Sequence, residues 1–303
     1  MRGNKRYLFA AVCALGTILA SQAQSNFMPE AANSIRRASL KAGGGAMPII
    51  EGELEGKKCV LIFDTGATHT TFDANFIREN FPQKKLEKVL LGGTTNVESS
   101  PELAHADKLK LGEAQFDNFD IMVLDLGGVA RDSGNRVDGV LGMNVIGTGR
   151  TLVSLGGGEI IFGASKESRE GFAPAKRVAL YDPLTLTLAV KPMGEKQGDA
   201  PRPIIIDSGS SFTFLDEGFG WPKGEAKHEI MARDVNGRSM LEPAEGQKGN
   251  LKFLDGGEIS IKPLISQEPL NRIGVDTLRV YDMLIEPRCI GFRPHKAKEE
   301  GEK

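Results

Sequence analysis

The chain has 303 residues, with 38 Lys+Arg against 40 Asp+Glu and a formal charge of −2. That length allows one large domain or two modest ones, each with a core of its own. The charge balance leaves no basic footprint for nucleic acid, 3 Cys are too few for a disulfide scaffold or a cysteine-rich zinc protein, and 26% charged beside 40% hydrophobic residues excludes a disordered chain.

Arg2, Lys5 and Arg6 precede an uncharged, mostly apolar run from Leu8 to Ala20, and Ser21 and Ala23 are small residues spaced as a cleavage site requires. This predicts a signal peptide over 1–23 and a secreted or periplasmic protein after cleavage near Ala23. An uncleaved anchor is the competing reading, although the run is shorter than the roughly 20 residues of a spanning helix. Gln24 to Gly45 is a weakly patterned lead-in. Cys59 to Phe63 is a short continuous apolar run, the mark of a buried strand, and it ends in Asp64-Thr65-Gly66. Asp73 to Asn80 reads as a short helix, and Gly92-Gly93 and Gly127-Gly128 read as turns. Val140-Leu141-Gly142 leads into a short helix at Gly142 to Ile146, a strand at Thr151 to Leu155, a turn at Gly156-Gly157-Gly158 and a strand at Glu159 to Gly163.

Lys166 to Lys176 is polar and breaks the pattern, which places the boundary between two halves there. Ile204 to Ile206 is a second buried run, ending in Asp207-Ser208-Gly209. Arg272-Ile273-Gly274 and the strand-like runs Met283 to Ile285 and Cys289 to Phe292 follow, before a charged tail. The predicted division is therefore 1–23 signal, 24–45 lead-in, 46–168 first lobe, 169–294 second lobe and 295–303 tail.

The two halves are versions of one another. Leu61 to Phe76 aligns without gaps on Ile204 to Phe219, so that Ile62, Asp64, Gly66, Thr70, Asp73 and Phe76 meet Ile205, Asp207, Gly209, Thr213, Asp216 and Phe219. An apolar-Gly element and two strands follow each copy in the same order, which a duplicated half explains better than chance. A third triplet, Asp132-Ser133-Gly134, has no buried strand before it and reads as a surface loop.

Two Asp residues at the ends of buried strands can meet across a pseudo-twofold axis. Carboxylates about 3 Å apart cannot both ionise readily, so they share a proton. The ionised one can activate water and the protonated one can polarise a carbonyl. Gly66 and Gly209 let the chain turn and bring backbone N–H groups toward the carboxylates, and the hydroxyls of Thr65 and Ser208 can bond across the pair.

On Asp64-Thr65-Gly66-Ala67-Thr68 and Asp207-Ser208-Gly209-Ser210-Ser211, each followed by its apolar-Gly element, residues 46–294 resemble the aspartic proteases. Ala67 and Gly142-Met143-Asn144 make the first half similar to a retropepsin subunit, and Ser210 to Leu215 make the second similar to the second lobe of pepsin-type enzymes. The resemblance implies an all-β fold of two pseudo-twofold-related, β-barrel-like lobes with a cleft between them. It implies Asp64 and Asp207 as the catalytic pair and Thr65, Gly66, Ser208, Gly209 and Ser210 as their support. Leu90 to Val97 would be the flap, with Gly92, Gly93 and Thr94 over a peptide or protein substrate. It further implies no cofactor, no metal and competence as a monomer.

The chain departs from that pattern in three places. The three tyrosines, Tyr7, Tyr181 and Tyr281, lie outside the flap. Ala67 carries no hydroxyl, whereas Ser210 does, and Arg272 stands where the family prefers an apolar residue.

Other chemistries find little support. His69, His105, His228 and His295 lack metal-site spacing, and Phe212 is the counterpart of His69. There is no Gly-x-Ser-x-Gly elbow, and Gly156-Gly157-Gly158 lacks the Lys and helix of a phosphate loop. Cys59 and Cys289 could pair in an oxidising compartment or be two inert thiols. The sequence therefore predicts an aspartic endopeptidase, with a catalytically silent, protease-like peptide- or protein-binding module of the envelope as the alternative.

Overall fold

The computed structural model describes residues 6–9, 35–42, 47–88, 101–133, 135–165, 172, 177–182, 186–192, 200–234, 237–254, 256–287 and 289–296. The first part of the chain holds β1 (Arg6–Phe9), β2 (Arg36–Ala42), β3 (Pro48–Leu54), β4 (Lys57–Phe63), β5 (Thr71–Asp73), α1 (Ala74–Asn80), β6 (Glu87–Lys88), β7 (Glu102–Leu111) and β8 (Ala114–Leu124). Then come α2 (Gly127–Ser133), β9 (Gly139–Leu141), α3 (Met143–Ile146), β10 (Thr151–Ser154) and β11 (Glu159–Phe162). The second part begins with β12 (Arg177–Asp182), β13 (Thr187–Val190), β14 (Arg202–Ile206), β15 (Phe214–Asp216), β16 (Lys223–Lys227), β17 (Ile230–Asp234), β18 (Gly237–Leu241) and β19 (Ala244–Gly246). It ends with β20 (Gly249–Lys252), β21 (Glu258–Ile261), β22 (Leu264–Ser266), β23 (Arg272–Ile273), α4 (Val275–Leu278), β24 (Tyr281–Glu286) and β25 (Cys289–Pro294).

The fold is mostly strand, as expected. In the first lobe β3, β4, β9, β5, β8 and β7 close into a six-stranded barrel. Closure leaves no free edge within the ring, and alternate side chains fill it. Leu54, Leu61, Phe63, Phe72, Phe116 and Phe119 are among these buried residues. The wiring around each Asp-containing strand is the same in both halves. β4 runs parallel to β9, β9 antiparallel to β5, and β5 parallel to β8. In the second half β14 runs parallel to β23, β23 antiparallel to β15, and β15 parallel to β22. The repeat read in the sequence is thus a repeat of strand connections.

A six-stranded sheet in the order β2, β11, β10, β24, β25, β12 joins the lobes. Its centre is the antiparallel pair β10–β24, with Val153 opposite Met283 and both buried. The outer strand β2 also pairs with β3, so it belongs to the joining sheet and to the first lobe at once.

Several expectations need correction. The lead-in contains β2, whose Ala38 and Leu40 are buried. Gly127-Gly128 opens α2 instead of a turn, and Asp132 and Ser133 end that helix instead of forming a loop; Gly134 lies outside the described residues. The start of the tail is packed, because the His295 amide bonds to the Val280 carbonyl. Most of the predicted signal segment, the flap residues Gly92, Gly93 and Thr94, and nearly all of Lys166 to Lys176 lie outside the described residues. Within the signal segment residues 6–9 form β1, which pairs in parallel with β17. Among the described residues no helix is long and apolar enough to cross a membrane.

Candidate active site

Strands β4 and β14 deliver their triplets to the same place. The Asp64 amide donates to the Leu141 carbonyl at 3.1 Å, and the Asp207 amide donates to the Ile273 carbonyl at 2.9 Å. Beyond these anchors the two loops grip each other. The Thr65 hydroxyl donates to the Ile206 carbonyl at 2.7 Å and accepts the Ser208 amide at 3.0 Å. Reciprocally, the Ser208 hydroxyl donates to the Phe63 carbonyl at 2.8 Å and accepts the Thr65 amide at 3.0 Å. Thr65 and Ser208 are both buried, so each hydroxyl satisfies a donor and an acceptor that water cannot reach.

The short helices α3 and α4 hold these loops from below. The Met143 and Asn144 amides donate to the Ala67 and Thr68 carbonyls, and the Val275 and Asp276 amides donate to the Ser210 and Ser211 carbonyls. In the first lobe the Thr70 hydroxyl donates to Asn144 Oδ1 at 2.8 Å and accepts the Gly142 amide at 3.1 Å. In the second the Thr213 hydroxyl donates to Asp276 Oδ1 at 2.7 Å and accepts the Gly274 amide at 3.1 Å. Gly142 and Gly274 are required by contact: a Cβ would lie 2.4 Å from the backbone of His69 in one case and of Phe212 in the other. Asn144 and Asp276 were missed as supporting residues. The available signal was a polar residue two places after the Gly in both halves, facing a Thr that the repeat had already matched.

Asp64 and Asp207 are both 0% exposed. Asp64 Oδ1 accepts the Gly66 and Ala67 amides at 2.8 and 3.2 Å, while the buried Oδ2 receives no hydrogen bond. Burial, and then repulsion from the Asp207 carboxylate, push Asp64 well above the usual carboxylate range; the two amides pull the other way and do not prevail. A proton on Asp64 removes the repulsion and supplies a donor toward Asp207. Asp207 Oδ2 meets the guanidinium Nη1 of Arg272 at 3.0 Å.

The hydroxyl of Ser210, expected beside Asp207, donates to the Phe212 carbonyl at 2.8 Å. Ser210 supports the loop through its backbone, whose amide donates to the Asp207 carbonyl. Ala67 does the same in the first lobe. The base of the predicted flap is a β6–β7 hairpin, with Glu87 opposite Leu103. The sequence reading overlooked its counterpart in the second lobe, where β16 pairs with β19 and β17 with β18. Cys59 and Cys289 are not joined in a disulfide, and the Cys289 thiol donates to Glu286; burial first of all pushes Cys59 up to about 12, so it is inert.

Ser154, His295 and Asp282 also cluster, but the Ser154 hydroxyl and Asp282 Oδ1 meet the same ring nitrogen, Nδ1, at 3.1 and 2.8 Å. A nucleophile and its orienting acid need opposite ring nitrogens. This cluster therefore ties β10 to β24 and is not a hydrolase triad. Among the described residues no group of His, Cys, Asp or Glu side chains is arranged to hold a metal ion.

Residues 50–145 match the family model described as aspartyl protease. The matched stretch runs from β3 into α3 and contains Asp64, Thr70 and Asn144. The first lobe is thus similar to a family of peptide-bond hydrolases. No curated protein matches the chain.

Proposed function

We propose that the protein is an aspartic endopeptidase that works as a single chain, secreted or periplasmic after removal of a signal peptide. The observation that carries this reading is the buried Asp64–Asp207 pair held by the reciprocal Thr65–Ser208 grip. A turn has no need of two desolvated carboxylates fixed from both sides, whereas a shared-proton acid–base pair does.

The reaction follows from the charges. Ionised Asp207 takes a proton from a water lying between the acids as its oxygen bonds to the peptide carbonyl carbon. Protonated Asp64 gives its proton to the carbonyl oxygen, and a neutral tetrahedral diol results. Asp207 then passes its proton to the amide nitrogen, Asp64 recovers one from a diol hydroxyl, and the C–N bond breaks. Both acids return to their starting states. In this reading the segments that β6 and β16 lead into would cover an extended peptide. The substrate is accordingly a peptide or protein, bound through its backbone.

One observation favours the alternative of a silent peptide-binding module: Arg272 sits on an oxygen of Asp207. The two readings separate in a digest of a denatured protein mixture from about pH 3 to about pH 8, with wild type beside Asp207→Asn. The endopeptidase reading expects cutting by the wild type that disappears in the variant. Folded wild type that cuts nothing would leave the binding module, and cutting that survives the substitution would locate the activity elsewhere.

A further inference from the structure

We infer that Arg272 is a positioning residue that fixes the negative charge of the pair on Asp207, so that the two acids have unequal, preassigned roles. The inference rests on the endopeptidase reading above and concerns the same site.

The strand register explains why Arg272 reaches the site. Arg272 pairs with Ile205 on β14 and with Phe214 on β15. Its counterpart Val140 pairs with Ile62 on β4 and with Thr71 on β5. Both side chains therefore leave equivalent strands toward the catalytic loop of their own lobe. Val140 packs there with Ile62, Ala67 and Met122 in an apolar cluster. Arg272 instead places Nη1 3.0 Å from Asp207 Oδ2. The Arg272 side chain is 11% exposed and Asp207 is 0% exposed, so solvent screens the pair weakly. The turned-away Ser210 hydroxyl, bonded to Phe212, is consistent with the guanidinium having taken over this side of Asp207.

Other nearby charges are committed elsewhere. Arg202, on the strand that carries Asp207, pairs with Asp216 at 2.7 Å. Asp276 on α4 accepts from Thr213, and His69 in the facing lobe meets the Thr68 hydroxyl through Nδ1. Among the described residues, Asp64 and Arg272 are charged groups placed against Asp207.

In a pair without the arginine, the sequence repeat would make the two acids near-equivalent, and the proton could rest on either. A guanidinium beside one of them lifts that equivalence: the charge stays on Asp207 and the proton on Asp64.

The test is the pH profile of kcat/KM for wild type, Arg272→Met, Arg272→Gln and Arg272→Lys on a peptide the wild type cuts. Folding is checked by circular dichroism. The inference expects either neutral variant to move the acid limb of the profile upward in pH, and lysine to restore most of the wild-type position. Equal loss at every pH with an unmoved acid limb would make Arg272 a structural residue and overturn the inference while leaving the endopeptidase reading intact. Faster cutting by Arg272→Met at every pH would overturn it in another way, by making Arg272 a mask. If folded wild type and all variants cut nothing, the endopeptidase reading fails and the inference with it.

Discussion

Asp276 shows how the halves solve one problem with different residues. It takes the place that Asn144 holds in the first lobe, accepting from Thr213 as Asn144 accepts from Thr70. Burial raises Asp276 above the usual carboxylate range, against the opposing hydrogen bonds from Thr213 and Thr277. An acid raised in this way contributes stability that is complete below its unfolded pKa and is lost as pH rises through the folded value. Asp276→Asn, which copies the first lobe, removes that loss. Urea unfolding should therefore find the variant gaining on the wild type as pH rises from about 4 to about 7; a difference that is flat with pH would contradict the assignment. At this scale the sequence was informative wherever the repeat supplied a comparison. Asp64, Asp207, Thr65 and Ser208 were legible because each had a matched partner. Arg272 was visible as a departure, but its reach to Asp207 was not, since strand register decides which side of β23 faces the site. The direction of the Ser210 hydroxyl was not legible, because a hydroxyl three residues from a carboxylate can turn to either neighbour, and here it donates to the Phe212 carbonyl.

One element that escaped the sequence reading is β2. Its buried positions include Ala38 and Leu40, set among Arg36, Arg37, Ser39 and Lys41, so the apolar alternation Ala38, Leu40, Ala42 offers one large side chain. Such a strand is specified by its neighbours on both sides and hardly at all by its own pattern. It nonetheless carries weight, because it edges the joining sheet against β11 and pairs with β3 of the barrel. Leu40→Ala removes its larger buried side chain and is expected to cost about 2–4 kcal/mol. Chemical denaturation measures this directly, and a loss below about 0.5 kcal/mol, the range of ordinary surface substitutions, would show that β2 does not pack as described. By contrast α3 was legible as a short helix, whereas α4 was not, although each begins at a glycine of the matched apolar-Gly element whose close approach to the loop above excludes a side chain. A glycine pair is a poorer guide elsewhere: Gly127-Gly128 suggested a turn and instead opens α2.

At the scale of the molecule the duplication was legible, and the departures from symmetry were not. The first lobe closes its six strands, while the second adds the β20–β21 hairpin and the longer β16–β19 excursion. These lie where the repeat has no matching residues, so no internal comparison was available. What unites the lobes is the central β10–β24 pairing and, above it, the four hydrogen bonds between Thr65 and Ser208 and the opposite strand ends. That join brings the two Asp-containing loops together, and under the proposed function neither acid works without the other. The measurement that tests this most directly is kcat for Asp64→Asn, Asp207→Asn and the double variant on one peptide. If the two acids act as a unit, each single substitution removes nearly all activity and the double loses little more, as groups that act together are strongly non-additive. If the losses instead multiply, or if one single variant retains most of the wild-type rate, the acids act independently and the account of a shared-proton pair is wrong.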